Sequence, residues 1–279
     1  MSPEKLAVVV FLACFMLLAG LQCDFAELRE AFQSPMRLLR IFAANFVVVP
    51  ILGVIVVRLF QLDIYVATGI LLMAISPGVP FLPLIAGTKK GGSAGLATGL
   101  AVILPAVSII TVPITAPLVL PADAQAHITF ASFIVSLLLF QLLPLVVGLF
   151  IRARSDKVAP MLTKLVVAVL VVAGIAVLFF LVPQMGKAFA AVYGSRGLMA
   201  SLLIIVLCAF VGWLLGGKTA EYRVTLSIST IMRNVGLATL IATENFHDTV
   251  AGAVVLAYFV MQFIFANLIG MYYKRREAK

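Results

Sequence analysis

Apolar residues run along this chain in long blocks, without the half-polar periodicity of helices or strands that face water on one side. Nine blocks stand out: about Leu6–Gln22, Leu38–Phe60, Ile64–Gly87, Ser93–Leu118, Ile128–Ile151, Met161–Val182, Gly197–Leu215, Arg223–Asn245 and Val250–Tyr272. Roughly 20 apolar residues cross a hydrocarbon layer about 30 Å thick, so the pattern predicts nine transmembrane helices. The first and seventh blocks are short. The third interrupts itself, reading ISPGVPFLPLIAGTKK over residues 75–90 with Pro77, Pro80 and Pro83 inside it.

Composition fits the same class. Of the 279 residues 63% are hydrophobic and 11% charged, and the mean hydropathy is +1.20. A soluble domain carries about 25% charged residues. The chain therefore reads as an all-α polytopic membrane protein, one transmembrane domain over residues 1–279. The first block follows only the weak, mixed charge of Glu4 and Lys5, and is expected to stay as a helix rather than be cleaved. Cys14, Cys23 and Cys208 have no metal or redox spacing and read as packing thiols.

The net charge of +9 is unevenly placed. Basic residues cluster after the first, third, fifth, seventh and ninth blocks: Arg29, Arg37 and Arg40; Lys89 and Lys90; Arg152, Arg154, Lys157 and Lys164; Lys218 and Arg223; Lys274, Arg275, Arg276 and Lys279. The other side holds Lys5, Arg58, Lys187 and Arg196. Positive loops stay in the cytoplasm, which predicts an inner or plasma membrane protein with its N-terminus outside and its C-terminus cytoplasmic. The same placement turns the charge toward anionic membrane lipids and leaves no reason to invoke nucleic acid.

A weak internal repeat is present. GVPFLPLIAG (78–87) aligns with NVGLATLIAT (234–243), matching Val79 with Val235 and Leu84-Ile85-Ala86 with Leu240-Ile241-Ala242. The two stretches fall in the third and eighth blocks and so cross the membrane in opposite directions, the inverted repeat of many secondary transporters.

Candidate chemistry gathers in those two blocks. Proline has no N–H, so Pro77, Pro80 and Pro83 free the carbonyls of Met73, Ser76 and Val79, and Gly78 loosens the backbone between them. Bare backbone survives in a membrane only inside protein or against a wet cavity. The eighth block, TLSISTIMRNVGLATLIAT, places Ser229 with Arg233 and Thr230 with Asn234 at i,i+4 spacing, which puts all four on one side of a helix. Arg233 lies near mid-span, and all eleven acidic residues fall at termini or in loops. Its partner is therefore either the freed carbonyls or an anion, for which a five-donor planar fork is suited. It either pairs with a substrate carboxylate or permanently fills a cation site. Asn45, Gln141, Gln262 and Asn267 add polarity within other spans. The candidate binding set is Arg233, Asn234, Ser229, Thr230, Ser76, Pro77, Gly78, Val79 and Asn45. There is no catalytic constellation, and no metal ligand set or cofactor motif: His127, His247 and the Glu244-His247-Asp248 trio read as loop residues, and TKKGG lacks the phosphate-loop spacing.

With the nine-block layout, the Pro-Gly break and MRNVGLA (232–238), the sequence resembles the bile acid/sodium symporter family. The resemblance implies a core of blocks two, three, four, seven, eight and nine, with crossing discontinuous helices three and eight, and a panel of blocks one, five and six (about 6–22, 128–151 and 161–182) that moves against it. It implies organic anion substrates carried with sodium. The sodium motifs are degenerate. Val79, Leu82 and Pro83 stand where the family has Gly, Ser and Asn, and Ser229 and Arg233 stand where it has Glu and Gln. Hard cations favour anionic oxygen ligands, so the reading is a carrier of small carboxylates without sodium sites. The alternatives are a non-transporting receptor or scaffold on a transporter fold, and the related auxin-efflux-carrier-like arrangement.

Overall fold

The computed structural model describes residues 3–277 apart from 80, 88–90, 126–129, 156, 195 and 247–248. Pro80, Lys89, Lys90, His127, His247, Asp248 and Lys279, all named above, lie outside the described residues. The described chain is helical. We number its main helices α1 (Pro3–Gln22), α2 (Phe25–Phe32), α3 (Pro35–Leu59), α4 (Ile64–Ile75), α5 (Leu82–Ala86), α6 (Ala94–Val119), α7 (Ile134–Arg154), α8 (Val158–Gly194), α9 (Gly197–Leu215), α10 (Ala220–Ile231), α11 (Val235–Asn245) and α12 (Ala251–Glu277). Among the described residues seven helices are long and apolar enough to span a membrane: α1, α3, α6, α7, α8, α9 and α12. The third and eighth blocks are not continuous helices. Each is a pair of halves, α4 with α5 and α10 with α11.

Each break has a local cause. Pro77 disfavours helical backbone at Ser76, which closes α4 outside the helical region at φ −106° and ψ 76°. Pro83 lies in the first turn of α5, where a missing N–H costs nothing. Gly78 takes φ +88°, and a Cβ there would press into Pro105 and Leu104 of α6. The second break has no proline. Met232 is extended after α10, and Asn234 starts α11 as its N-cap, its side chain accepting from the Leu237 N–H at 3.0 Å.

The two breaks meet. Pro77 and Arg233 form an isolated antiparallel bridge, and the Asn234 N–H donates to the Ser76 carbonyl at 2.7 Å. The offset that aligns residue 78 with residue 234 also aligns Pro77 with Arg233, so the bridging residues are repeat equivalents. The i,i+4 expectation fails at this point. Ser229 and Thr230 close α10, while Arg233 and Asn234 sit on the extended crossing segment, so no single helix face carries all four. The break removes the periodicity that the expectation assumed.

Packing around the crossing is dense. α1 lies against α7 and α8 and also touches α11, while α4 packs on α12 and α9 on α10. Gly20 and Gly148 let α1 and α7 approach until backbones touch: a Cβ on either would run into the other helix's main chain. The sixth block, expected at 161–182, is part of a longer helix reaching Gly194. α2 was not expected as a helix. It is amphipathic and packs along α6, and the Glu30 carboxylate accepts from Ser93 Oγ at 2.7 Å at the start of α6.

Asp24, between α1 and α2, takes both Nε (2.5 Å) and Nη2 (2.8 Å) of Arg152 at the end of α7. These hydrogen bonds hold the Asp24 carboxyl below its ordinary 3.8, against a smaller opposing effect of burial and with added help from the arginine charge. A depressed folded-state pKa stabilises the fold above the unfolded value, and that contribution disappears as pH falls through the folded value. The carboxylate is half exposed, so the pair is worth at most about 1 kcal/mol. Thermal unfolding scans from pH 6 to pH 3 are therefore expected to show a shallower acid loss in Asp24→Asn than in the parent chain.

Candidate functional site

Arg233 is the largest fully buried side chain in the described structure, with no exposed surface. Its guanidinium is held by oxygens of two helices. Nε donates to the Met73 carbonyl at 3.2 Å, and Nη2 to the Ala74 carbonyl at 2.6 Å and to the Asn45 carbonyl at 3.2 Å. Nη1 donates to Asn45 Oδ1 at 2.9 Å.

Sequence features explain why those oxygens are free. Met73 would bond to the N–H four residues on, which is Pro77. Ala74 would reach Gly78, which has left the helix. Both belong to the C-terminal turn of α4, the end of a helix dipole that favours a cation. Asn45 is freed differently. Residues Ala43–Val48 form a π-helical turn within α3, in which the Val49 N–H goes to Ala44. In that register the Asn45 carbonyl would pair with residue 50, and residue 50 is proline. The Asn45 amide nitrogen donates to Ile41 at 3.1 Å, which turns Oδ1 toward the arginine.

The backbone of Arg233 is also secured. Gln262 of α12 accepts from its N–H at 2.9 Å and donates to its carbonyl at 3.1 Å. Pro77 at the equivalent place has no N–H to satisfy. All three carbonyls that the prolines were expected to free have partners: Met73 has Arg233 and the Ser76 N–H, Ser76 has Asn234, and Val79 has the Leu82 N–H.

The remaining candidates divide. Ser76, Pro77, Gly78, Val79 and Asn234 all form the crossing and are buried. Thr230 faces away into packing, its hydroxyl near the carbonyls of Cys208, Leu226 and Ser227. The hydroxyls of Ser76 and Ser229 and the Asn234 amide nitrogen are buried without a protein partner. Sequence reasoning noted Gln262 only as a polar residue in a span, and it missed the π turn, whose signal was Pro50 inside an apolar block.

A cavity of about 380 Å³ lies beside the crossing, between α1 and α8 on one side and the Phe81, α11 and α12 surfaces on the other. Phe11, Phe15, Phe81 and Phe259 line it, together with Val235 and Thr239 at the first turns of α11, and the Thr239 hydroxyl has no protein partner. At the end of the bundle opposite the basic loops, Glu244 ties three helices: Lys5 Nζ of α1 at 2.9 Å and Ser136 Oγ of α7 at 3.1 Å. Among the described residues no cluster of three His, Cys, Asp or Glu could hold a metal ion.

The model of the sodium bile acid symporter family matches residues 9–195, a segment that includes α4, the Pro-Gly break and α5. The chain is also similar to a probable chloroplastic sodium/metabolite cotransporter of Arabidopsis thaliana, with 24% identity over 277 residues, covering 97% of this chain and 67% of that protein.

Removing one acceptor of the guanidinium tests its importance. Asn45→Ala leaves Nη1 facing an apolar gap and is expected to cost about 2 kcal/mol, since hydrogen bonds to charged groups contribute roughly 1.5–3 kcal/mol. Asn45→Asp keeps an oxygen at that position and should recover most of the loss. Unfolding midpoints of the purified variants in detergent check both.

Proposed function

Because the chain belongs to the sodium bile acid symporter family, we propose that it carries small organic anions, carboxylates in particular, by alternating access around the crossing, and that the Arg233 guanidinium takes the place of the coupled sodium. The observation that carries this reading is where the charge sits. The guanidinium lies on the carbonyls that end a half-helix, and in transporters built from broken helices such carbonyls coordinate the driving cation. The residues around it offer sodium little: Val79 and Leu82 are buried hydrocarbon, and Ser229 brings a neutral hydroxyl. A sodium ion about 4 Å from the guanidinium would meet roughly 4 kcal/mol of repulsion at an effective dielectric of about 20.

The same charge favours anions at longer range. Arg233 is hydrogen-bonded to protein, so it acts through its field rather than by direct clasping. At about 8 Å a carboxylate would gain roughly 2 kcal/mol. The start of α11 supplies a complementary site, with the dipole end of a helix, the unpartnered Asn234 amide and the Thr239 hydroxyl beside an apolar cavity. A ligand with a carboxylate head and a short hydrocarbon body suits that combination. α1, α7 and α8 form the panel in this reading, and the Lys5–Glu244–Ser136 tie joins it to the core at one end. Breaking and remaking that tie accompanies the switch between access states.

Uptake of radiolabelled small carboxylates into proteoliposomes tests the reading. Rates within about twofold when choline replaces sodium are expected. Strict dependence on sodium would overturn the substitution of the ion by Arg233. Absence of uptake of any carboxylate, under conditions where the protein is folded, would favour a receptor or scaffold instead.

A further inference from the structure

A second charged site lies away from the crossing, at the basic end of the bundle. The start of α3 and the turn between α9 and α10 enclose a groove of about 340 Å³. Ser34, Arg37, Arg40, Lys218, Thr219 and Tyr222 border it. No acidic side chain does. Glu30, the nearest acid in sequence to Arg37, has its carboxylate engaged by Ser93. Among the described residues neither Arg37, Arg40 nor Lys218 has an ion-pair partner.

The groove is built rather than incidental. The Arg37 guanidinium lies 3.9 Å from the centre of the Tyr222 ring, which fixes its plane. The Ser34 hydroxyl caps α3 by accepting from the Arg37 N–H. Gly217 turns the chain with φ +90°, and Arg223 donates Nε to its carbonyl at 2.7 Å while lying over the Trp213 ring. Arg37 and Arg40 are thus presented on one side of α3, three residues apart. Met36, which also borders the groove, and Leu39 are 57% and 61% exposed, and Leu214 of α9 is 54% exposed. A cationic groove thus sits at the end of the spans beside bare hydrocarbon.

We propose that this groove binds the phosphate of an anionic phospholipid headgroup, with the acyl chains lying along Met36, Leu39 and Leu214. Two arginines and a lysine border one small volume, and Arg37, stacked on Tyr222, spends Nη1 on the Glu30 carbonyl at 3.5 Å and keeps donors to spare, a set that suits a phosphate diester. The exposed apolar neighbours and the Tyr222 ring at its border favour a lipid over free phosphate, since such rings belong at the headgroup level.

The test uses the purified full chain in detergent, titrated with dioctanoyl phosphatidylglycerol, dioctanoyl phosphatidylcholine or inorganic phosphate while the unfolding midpoint is followed. Phosphatidylglycerol is expected to raise the midpoint by about 3–5 °C with saturation, and phosphatidylcholine by less than half of that. The variant Arg40→Gln/Lys218→Gln removes charges that make no intramolecular ion pair, so its midpoint without lipid stays close to the parent's. Its half-saturating phosphatidylglycerol concentration should rise roughly 30-fold, since each basic residue near an anionic surface contributes about 1 kcal/mol. An equal shift with phosphatidylcholine, no saturable shift with phosphatidylglycerol, or an unchanged titration in the variant would each overturn the site. A full response to inorganic phosphate alone would overturn the lipid as its source.

Discussion

A peptide group stripped of its helical partner in an apolar interior must find another, and the centre of this molecule is arranged around that requirement. Breaking α4 exposes the carbonyls of Met73 and Ala74, and a π turn before Pro50 exposes that of Asn45. One guanidinium satisfies all three. The converse also holds. A buried cation is costly unless surrounded by oxygens, and here three of the four are carbonyls freed where two helices depart from regular α-helix. Neither the break nor the charge would be tolerable without the other.

The two halves of the repeat solve the same problem by different chemistry. In the first half the crossing residue is Pro77, which has no N–H to satisfy, and a neighbouring glycine fits against Pro105. In the second half it is Arg233, whose N–H and C=O are both taken by the Gln262 amide. Asn234 supplies the helix start that proline supplies in the first half. The pairing of Pro77 with Arg233 therefore joins two residues that occupy equivalent places and share no chemical property.

Much of this was legible in the sequence, because it follows from covalent facts. A proline removes an N–H wherever it sits, so the freed Met73 carbonyl could be named before any coordinates, and an arginine in mid-span demanded a polar partner. The long apolar blocks gave the spans for the same reason, since hydrocarbon thickness fixes their length. What escaped depended on geometry between distant segments. Asn45 was a candidate neighbour, but Pro50 alone did not reveal the π register that frees the Asn45 backbone oxygen rather than the one four residues before the proline. The i,i+4 argument for Ser229 and Thr230 assumed a helix that ends at Ile231. The α2 helix was hidden because its few apolar residues are spaced for packing on α6 rather than for crossing lipid.

A guanidinium bolted to the polypeptide cannot travel down a concentration gradient. On the proposed reading, the cargo's own negative charge is then the only charge that crosses, and the resting voltage acts on it directly. With the cytoplasm 100 mV negative, one elementary charge feels about 2.3 kcal/mol, a bias of roughly fiftyfold toward the outside. A carrier that moved sodium together with an anion would cancel that charge and could work inward against the field. On the proposed reading this chain, with its cation permanently aboard, would be poised to let one out.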